Sequence, residues 1–163
     1  MPDNTFIPED CDLEERHIYF FDLAKQPAYE GRMFDVVLCT EVVEHIFADD
    51  TAIFANLSNI VKPGGFLILS VPNAVSLVRR LTVLFGKNNI TQKKNIIRGT
   101  FGGYGHIREY AMYEVELYMG AYFDIVYSAG INEYPSTQRL PFNRFLPTSL
   151  CDDMLFIGKR NLG

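Results

Sequence analysis

Two apolar runs of strand length, separated by an acidic turn and a helical pattern, most constrain the fold of this chain. The first run is Phe34–Cys39 and the second is Phe66–Val71. Both have the continuous apolar pattern of strands that are buried on both faces of a sheet. Asp49 and Asp50 favour the start of a helix between them, because acids stabilise helix N-termini. Pro63-Gly64-Gly65 ends that helix, so the order predicted is strand, helix and strand.

The remaining patterns continue this alternation. Strands are predicted over His17–Phe21, Phe123–Ser128 and Met154–Gly158, and helices over Asn73–Phe85 and Tyr113–Met119. Residues 86–105 are polar, basic and rich in glycine, and so long a connection is usually a functional loop or lid. We therefore expect an α/β fold with a largely parallel sheet, in a single domain over residues 1–163.

The composition is that of a globular protein. The chain is 48% apolar and 21% charged, and no apolar run approaches the ~18 residues of a membrane span. Its first residues lack the basic and apolar regions of a signal peptide. Cys11, Cys39 and Cys151 are widely spaced and match no zinc pattern. We therefore expect reduced cysteines in a cytoplasmic protein.

Charge is distributed unevenly along the chain. The net charge is -5, yet thirteen acids lie in the first fifty residues and none lies between Thr51 and Arg108. Such an asymmetry can steer an anionic ligand, although a solvated basic loop beside an acidic neighbour explains it as well. The negative net charge of the chain and the lack of an ordered aromatic stacking pattern argue against a nucleic-acid partner.

Four side chains suited to metal binding or proton transfer follow the first strand and the basic loop. Glu41 lies three residues before Glu44 and four before His45, so one helical turn would place all three on one face. With His106 they make two carboxylates and two imidazoles, a set that suits Mg, Mn, Fe or Zn. Without a metal, His45 or His106 can be the general base for a hydroxyl proton. Glu44 and His45 can also simply cap the turn and hydrogen-bond locally.

Three motifs occur in a specific order. They are Phe34-Asp-Val-Val through Glu44-His45, then Ile60-Val-Lys-Pro-Gly-Gly-Phe-Leu-Ile-Leu-Ser-Val-Pro-Asn73, and then Gly105-His-Ile-Arg-Glu-Tyr110. In this order they resemble the middle and C-terminal half of class I S-adenosylmethionine-dependent methyltransferases. The resemblance covers Ile18 to Lys159, and it rests on the ordered series because the Lys-Pro-Gly-Gly turn alone is unspecific.

The resemblance implies roles for four residues at the cofactor. In that family the acid that ends the third strand, and the apolar residue after it, usually meet the adenine. Asp22 and Leu23 occupy the equivalent place in this chain. The turn after the fourth strand faces the methionine part of the cofactor and the substrate, and Thr40 and Glu41 lie there.

The chain departs from that family at its amino end. Family members begin with a strand, a Gly-x-Gly turn and a helix, followed by a second strand whose final acid holds the ribose. No glycine precedes Gly31 here. The resemblance therefore implies a partial doubly wound, Rossmann-like, mostly parallel sheet with an antiparallel C-terminal strand and its first two strands missing. Phe34–Cys39 would then be an edge that can pair with another chain. We expect His17–Phe21, a second copy or another partner to cover it.

The Glu-x-x-Glu-His arrangement with a later histidine resembles metal-dependent O-methyltransferases. Those enzymes act on the 2′-hydroxyl of small-RNA ends and on ubiquinone precursors. The resemblance implies a divalent ion on Glu41, Glu44, His45 and His106, with a Lewis-acid role toward the substrate hydroxyl. It also implies S-adenosylmethionine as the methyl donor and a small-molecule or glycan-like hydroxyl substrate.

Two other hypotheses compete with an active enzyme. The missing glycine turn favours a non-catalytic truncated remnant or an accessory subunit that works by association. The chain can also be an expressed fragment or a mis-started reading frame. A Gly-x-Gly strand, turn and helix encoded upstream of Met1 would restore the enzyme interpretation.

Overall fold

The structure, a computed structural model, describes residues 22–25, 33–87, 106–132 and 145–162. Within these ranges the strands are β1 (Phe34–Thr40), β2 (Val61–Pro72), β3 (Phe123–Ile131) and β4 (Asp153–Arg160). The helices are α1 (Asp50–Ile60), α2 (Leu77–Leu84) and α3 (Met112–Gly120). Single 3-10 turns occur at Val43–His45 and Thr148–Leu150. The alternation of strands and helices confirms the predicted α/β class.

The four described strands form one mixed sheet in the order β1-β2-β4-β3. β1 and β2 are parallel, and they pair Leu38 with Ile68 and Thr40 with Ser70. β4 is antiparallel to both of its neighbours. The predicted antiparallel C-terminal strand is therefore confirmed, and it lies inside the sheet. The carboxyl ends of β1 and β2 meet at one edge, where open α/β sheets bind their ligands.

Helix α1 packs its apolar stripe onto one face of this sheet. The Asp49 side chain accepts a hydrogen bond from the Ala52 N–H at 3.3 Å and so caps the helix. Ile53, Phe54 and Leu57 recur at helical spacing and are fully buried. Burying side chains of this size stabilises the fold by about 1.5–3 kcal/mol each. The predicted helix is confirmed, because both its cap and its stripe are local signals.

The Gly-Gly turn is required by the close approach of β1 and β2. Gly64 has a φ of 77°, in the left-handed region that favours glycine. A Cβ on Gly65 would lie 2.8 Å from the Asp35 carbonyl oxygen and 2.9 Å from that of Lys62. Both contacts are with backbone, which cannot move aside cheaply. The sequence Pro63-Gly64-Gly65 therefore lets β2 stay paired with β1 across the irregularity between Val61 and Phe66.

β1 is the last strand of the described sheet, and its outer face is exposed. Val36 is 53% exposed and Leu38 is 70% exposed, whereas Cys39 on the opposite face is buried. The prediction that this strand is buried on both faces is therefore wrong. Successive side chains of a strand face opposite sides of the sheet, and only the Cys39 side joins the core with α1. The expected covering strand, His17–Phe21, lies outside the described residues.

Helix α2 is shorter than predicted and lies at the surface. It occupies Leu77–Leu84 rather than Asn73–Phe85, and none of its residues is buried. Asn73 and Ser76 precede it in a turn, in which the Val75 N–H donates to the Asn73 Oδ1 at 3.0 Å. None of the helices in the described ranges has the length and apolarity that a membrane crossing requires.

Candidate active site at the carboxyl end of β1

The backbone reverses sharply where β1 ends. Glu41 has a φ of 54°, which is uncommon for a residue with a Cβ. Its N–H donates to the Ser70 carbonyl oxygen at 3.1 Å, and its Oε1 accepts from the Ser70 Oγ at 2.8 Å. These two bonds to β2 hold the left-handed conformation. Strained backbone of this kind, costing on the order of 1–3 kcal/mol, clusters at functional sites.

The turn that follows brings a distant segment to the same edge of the sheet. Glu44 lies in the Val43–His45 turn, and its carbonyl oxygen accepts from the Ile107 N–H at 2.8 Å and the Arg108 N–H at 3.2 Å. His106 is thereby held beside the turn. The segment that carries His106 follows the basic loop, so sequence spacing alone gave no measure of this proximity.

A buried network fixes the same segment to α1. The Tyr110 hydroxyl donates to the Asp50 Oδ1 at 2.6 Å, and the Arg108 guanidinium pairs with the same carboxylate. Arg108 also bonds the Glu114 Oε1 at 2.8 Å. Burial raises the pKa of Tyr110, and its bond to Asp50 adds to the effect. The phenol therefore stays protonated and donates.

Glu44 is the most unusual side chain at this edge. It is fully buried, and neither carboxylate oxygen has a hydrogen-bond partner among the described residues. Burial raises its pKa to about 7, and the charges of Glu41 and Asp153 add to the shift. The Glu44 backbone N–H opposes the shift. Leaving a buried acceptor unsatisfied costs about 1–3 kcal/mol, so this position calls for a function.

Two imidazoles lie next to this carboxylate. The His45 Nε2 is 3.5 Å from the Glu44 Oε1. The rings of His45 and His106 meet edge to face, with centroids 4.9 Å apart. One ligand-type atom from each of Glu44, His45 and His106 lies within 4.8 Å of the others. Burial lowers the pKa of His106, and the nearby His45 and Arg79 lower it further, so its imidazole is neutral at pH 7.

Sequence reasoning missed Glu109, which contacts His106, and Arg79, which contacts Glu109. The His106 Nδ1 lies 2.8 Å from the Glu109 Oε1, and both oxygens of Glu109 are engaged by the guanidinium of Arg79 on α2. The spacing of His106 and Glu109 by three residues was the available signal. No local pattern pairs Arg79 with Glu109, because the two lie thirty residues apart in the chain.

Glu41 lies apart from the Glu44, His45 and His106 group. The Val43–His45 turn begins after Glu41, so Glu41, Glu44 and His45 do not share the single α-helical face expected from their spacing. Glu41 is exposed, and its side chain bonds Ser70 instead. Thr40 is also exposed, at the end of β1.

The predicted adenine-contacting pair lies in a turn against α1. Asn56 donates from its Nδ2 to the Leu23 and Lys25 carbonyl oxygens, both at 2.9 Å. The Asp22 carboxylate is exposed, accepts from the Ala24 N–H at 3.0 Å and pairs with Lys25 at 3.0 Å. These contacts lower the pKa of Asp22, the bond to Lys25 most strongly. Leu23 packs against the core.

An open cleft lies beside the segment that carries His106. Its volume is about 400 Å³, within the range of small-molecule sites. Its lining comes from the turn before α2, from α2 and α3, and from the last 3-10 turn, and comprises Val75, Arg80, Ala111, Met112, Tyr113, Glu116 and Ser149. Arg80 follows Arg79, and Ala111 follows Tyr110, so the cleft and the histidine site share two supporting segments.

The fold agrees with the comparisons to known proteins. A family model described as a methyltransferase domain matches residues 8–110, more than half of the sequence. The chain therefore belongs to the methyltransferase-domain family. Among curated proteins, none matches it significantly.

Solved structures share the fold at low sequence identity. An S-adenosylmethionine-dependent methyltransferase from Thermotoga maritima is 16% identical with a TM-score of 0.58, over 91% of this chain and 67% of that one. A Pyrococcus horikoshii protein is also 16% identical, with a TM-score of 0.54 over 91% and 63%. A Methanosarcina mazei S-adenosylmethionine-dependent methyltransferase is 13% identical, with a TM-score of 0.54 over 90% and 68%. This chain covers only 52% of the length of another matched structure. The mixed sheet is thus that of the methyltransferase Rossmann-like fold, and the chain spans about half to two thirds of these proteins.

The raised pKa of Glu44 predicts that stability falls as pH rises. The folded protein holds this proton up to about pH 7, whereas the unfolded chain releases it near pH 4.5. The folded state therefore binds more protons in this window, and the free energy of unfolding should drop across it by on the order of 3 kcal/mol. Urea unfolding at several pH values, with a chelator present, measures the slope.

Two variants separate this effect from other titrations. Glu44→Gln should flatten the slope between pH 4.5 and pH 7, because the amide does not ionise. Asp124→Asn, an exposed carboxylate on β3, should leave the slope unchanged. An equal slope in Glu44→Gln and the unchanged protein would show that Glu44 titrates normally.

Proposed function

We propose that this chain carries the substrate-side half of an S-adenosylmethionine-dependent O-methyltransferase. Its substrate would be the hydroxyl group of a small molecule or a glycan-like compound. The observation that carries the proposal is Glu44, a buried carboxylate without a hydrogen-bond partner among the described residues, beside two histidines at the carboxyl end of β1. S-adenosylmethionine, when bound, supplies an electrophilic methyl group. The cleft of about 400 Å³, whose lining residues Arg80 and Ala111 directly follow Arg79 and Tyr110 in sequence, has the size of a small-molecule site.

His106 and His45 are the proposed catalytic residues. Methylation of a hydroxyl oxygen forms an O–C bond, breaks the sulfonium S–C bond and releases the hydroxyl proton. A neutral imidazole can accept that proton, and the lowered pKa of His106 keeps its imidazole neutral at pH 7. The site must also hold the hydroxyl oxygen in line with the methyl group, and such positioning by itself can accelerate methyl transfer strongly.

The same group is a candidate site for a divalent ion. Glu44, His45 and His106 offer one oxygen and two nitrogen ligands, which suits Mn, Fe or Zn better than Mg. Atoms bound to one ion at about 2.1 Å can be at most about 4.2 Å apart. The 4.8 Å spread of these atoms is slightly larger, so the side chains must close a little. Glu41 could become a further ligand of the ion only if its carboxylate broke the hydrogen bond with the Ser70 hydroxyl. A bound ion would polarise the substrate hydroxyl.

Asp22, Leu23, Thr40 and Glu41 are the proposed cofactor contacts. The exposed Asp22 carboxylate beside the half-buried Leu23 offers a hydrogen-bond acceptor and an apolar surface, which suits an adenine ring. A glycine turn for the rest of the cofactor is not found among the residues described before β1, and no glycine precedes Gly31 in the sequence. The cofactor site of this chain is therefore half built.

The proposal also covers the cellular location of the protein and the partners it binds. The free, buried thiols of Cys39 and Cys151 are consistent with a cytoplasmic protein. Burial raises the pKa of Cys39 to about 12, so this thiol is no nucleophile at neutral pH. The basic segment 86–105, most of which lies outside the described residues, is the proposed substrate lid. The acidic net charge of -5 disfavours nucleic acid.

A second candidate function is association without catalysis, as a remnant or an accessory subunit. The exposed apolar side of β1 favours it, because Phe34, Val36 and Leu38 lie on one face and are 42%, 53% and 70% exposed. An apolar edge strand is a template for pairing with another chain. We propose that a second copy of this chain covers it.

A divalent ion should bind the chelator-treated protein through Glu44. Calorimetric titration with Mn²⁺ should show one binding site. Glu44→Gln should weaken the Mn²⁺ affinity by at least about 10-fold, because even the loss of a residue that only supports a metal ligand lowers metal affinity about 10–100-fold. Asp124→Asn provides the matched loss of a carboxylate and should bind like the unchanged protein. Equal Mn²⁺ affinity in all three proteins would remove the metal from the proposal.

S-adenosylmethionine should give little or no heat when titrated into this chain. The reason is the missing glycine turn, whose backbone N–H groups and close approach dinucleotide-type sites depend on. Calorimetry measures this directly, with the unreactive product S-adenosylhomocysteine as a second ligand. Tight binding would contradict the half-built site and would favour catalysis by this chain over association.

Association through β1 should be sensitive to charge on its outer face. Leu38→Lys should shift the protein toward monomer, because pairing would bury the added charge. Leu84→Lys on α2 is the matched control, since Leu84 is equally exposed at 75%. Sedimentation across a range of concentrations gives the mass. A monomeric unchanged protein, or equal effects of both substitutions, would count against this surface.

A further inference from the structure

We propose that Glu109 is the positioning residue of this site. It fixes His106 in the tautomer that carries its proton on Nδ1 and its lone pair on Nε2, and Arg79 holds Glu109 in place for that task. The use of the lone pair rests on the proposed function, whether His106 takes a proton or binds an ion. The tautomer itself can be measured in this chain whether or not the proposed function is correct.

The contacts around Glu109 are short and largely shielded from water. The His106 Nδ1 is 2.8 Å from the Glu109 Oε1. Arg79 donates from Nη2 to the same oxygen at 2.8 Å, and its Nη1 pairs with Oε2. The side chains of Glu109 and Arg79 are 14% and 18% exposed. The guanidinium therefore grips both oxygens, the bidentate geometry that fixes a carboxylate most firmly.

The chemistry of these groups determines where the proton lies. An ionised carboxylate only accepts hydrogen bonds, and a guanidinium only donates them. The nitrogen that faces Glu109 must therefore be the donor, so Nδ1 carries the proton. In a neutral imidazole the other nitrogen then has the lone pair. A charge-assisted bond of this kind should favour this tautomer by more than about 10-fold.

The backbone around Glu109 is held independently of Arg79. Arg108 and Tyr110, its two neighbours, both bond the buried Asp50 on α1. The Ala74 N–H also donates to the Tyr110 carbonyl oxygen at 2.9 Å. Because these contacts already hold the segment, the Arg79–Glu109 pair is not needed to place it. Its distinguishing effect is on the orientation and protonation of His106.

The tautomer can be read from imidazole ¹⁵N shifts of the full chain, recorded without cofactor or metal. The sequence has only three histidines, His17, His45 and His106, so a His106→Asn variant assigns the signals. The proposal expects a protonated Nδ1 and an unprotonated Nε2 in the unchanged protein. A His106 protonated on Nε2 would overturn it, and this measurement requires no substitution of Glu109.

Substitution of Glu109 tests the cause. In Glu109→Gln, Arg79 should claim the amide oxygen and leave the amide NH₂ facing Nδ1, so the proton should move toward Nε2. Asp124→Asn, the matched change at an exposed site, should leave the tautomer unchanged. An unchanged tautomer in Glu109→Gln would also overturn the proposal.

A second measurement relates Glu109 to the proposed ion. Glu109→Gln should weaken Mn²⁺ binding by about 10–100-fold, the usual effect of losing a carboxylate behind a ligating histidine. Glu109→Asp, which keeps the charge, should restore part of the affinity. If the unchanged protein binds no Mn²⁺, the ion is removed from the proposed function while the tautomer result still decides the role of Glu109. If it binds Mn²⁺ and Glu109→Gln does so equally well, Glu109 has no positioning role.

Discussion

The Glu44 carbonyl oxygen is the contact on which the rest of this site depends. It accepts two N–H groups from the segment after His106, and so joins the end of β1 to a part of the chain far away in sequence. The side chain of the same residue is buried without a hydrogen-bond partner among the described residues. The backbone of Glu44 thus builds the site, while its carboxylate is left available in the middle of it. Stability and function are divided between two groups of one residue.

Burial acts on the two kinds of titratable group in opposite directions. It raises the pKa of Glu44 to about 7 and lowers that of His106, because a shielded site disfavours charge of either sign. Near neutral pH Glu44 and His106 therefore tend toward a neutral acid beside a neutral base. Titratable groups whose pKa values are shifted by burial cluster at functional sites. A divalent cation would displace the Glu44 proton, which makes ion binding dependent on pH.

The sequence predicted those parts of the molecule that are encoded locally. α1 was found because Asp49 and the stripe of Ile53, Phe54 and Leu57 lie within one helix. The exposure of β1 was not found, since an apolar run does not show whether a neighbouring element covers it. The prediction that Glu41 shares a helical face with Glu44 and His45 was wrong, because Glu41 has a left-handed backbone and the turn begins after it. Glu109 was missed because a carboxylate three residues after a histidine is common, and only the fold brings Arg79 to it.

The contacts that position the site all lie on the inner side of β1. Glu41 is bonded to Ser70 on β2, and the His106 segment is held by Glu44, by Asp50 on α1 and by Ala74 after β2. None of these contacts uses the exposed outer face of β1. The contacts that hold the His106 segment are therefore made by described residues of α1 and of the turns that follow β1 and β2, without any strand beyond β1. The contacts that hold the His106 segment and the exposed side chains of β1 are therefore physically separate features of this fold.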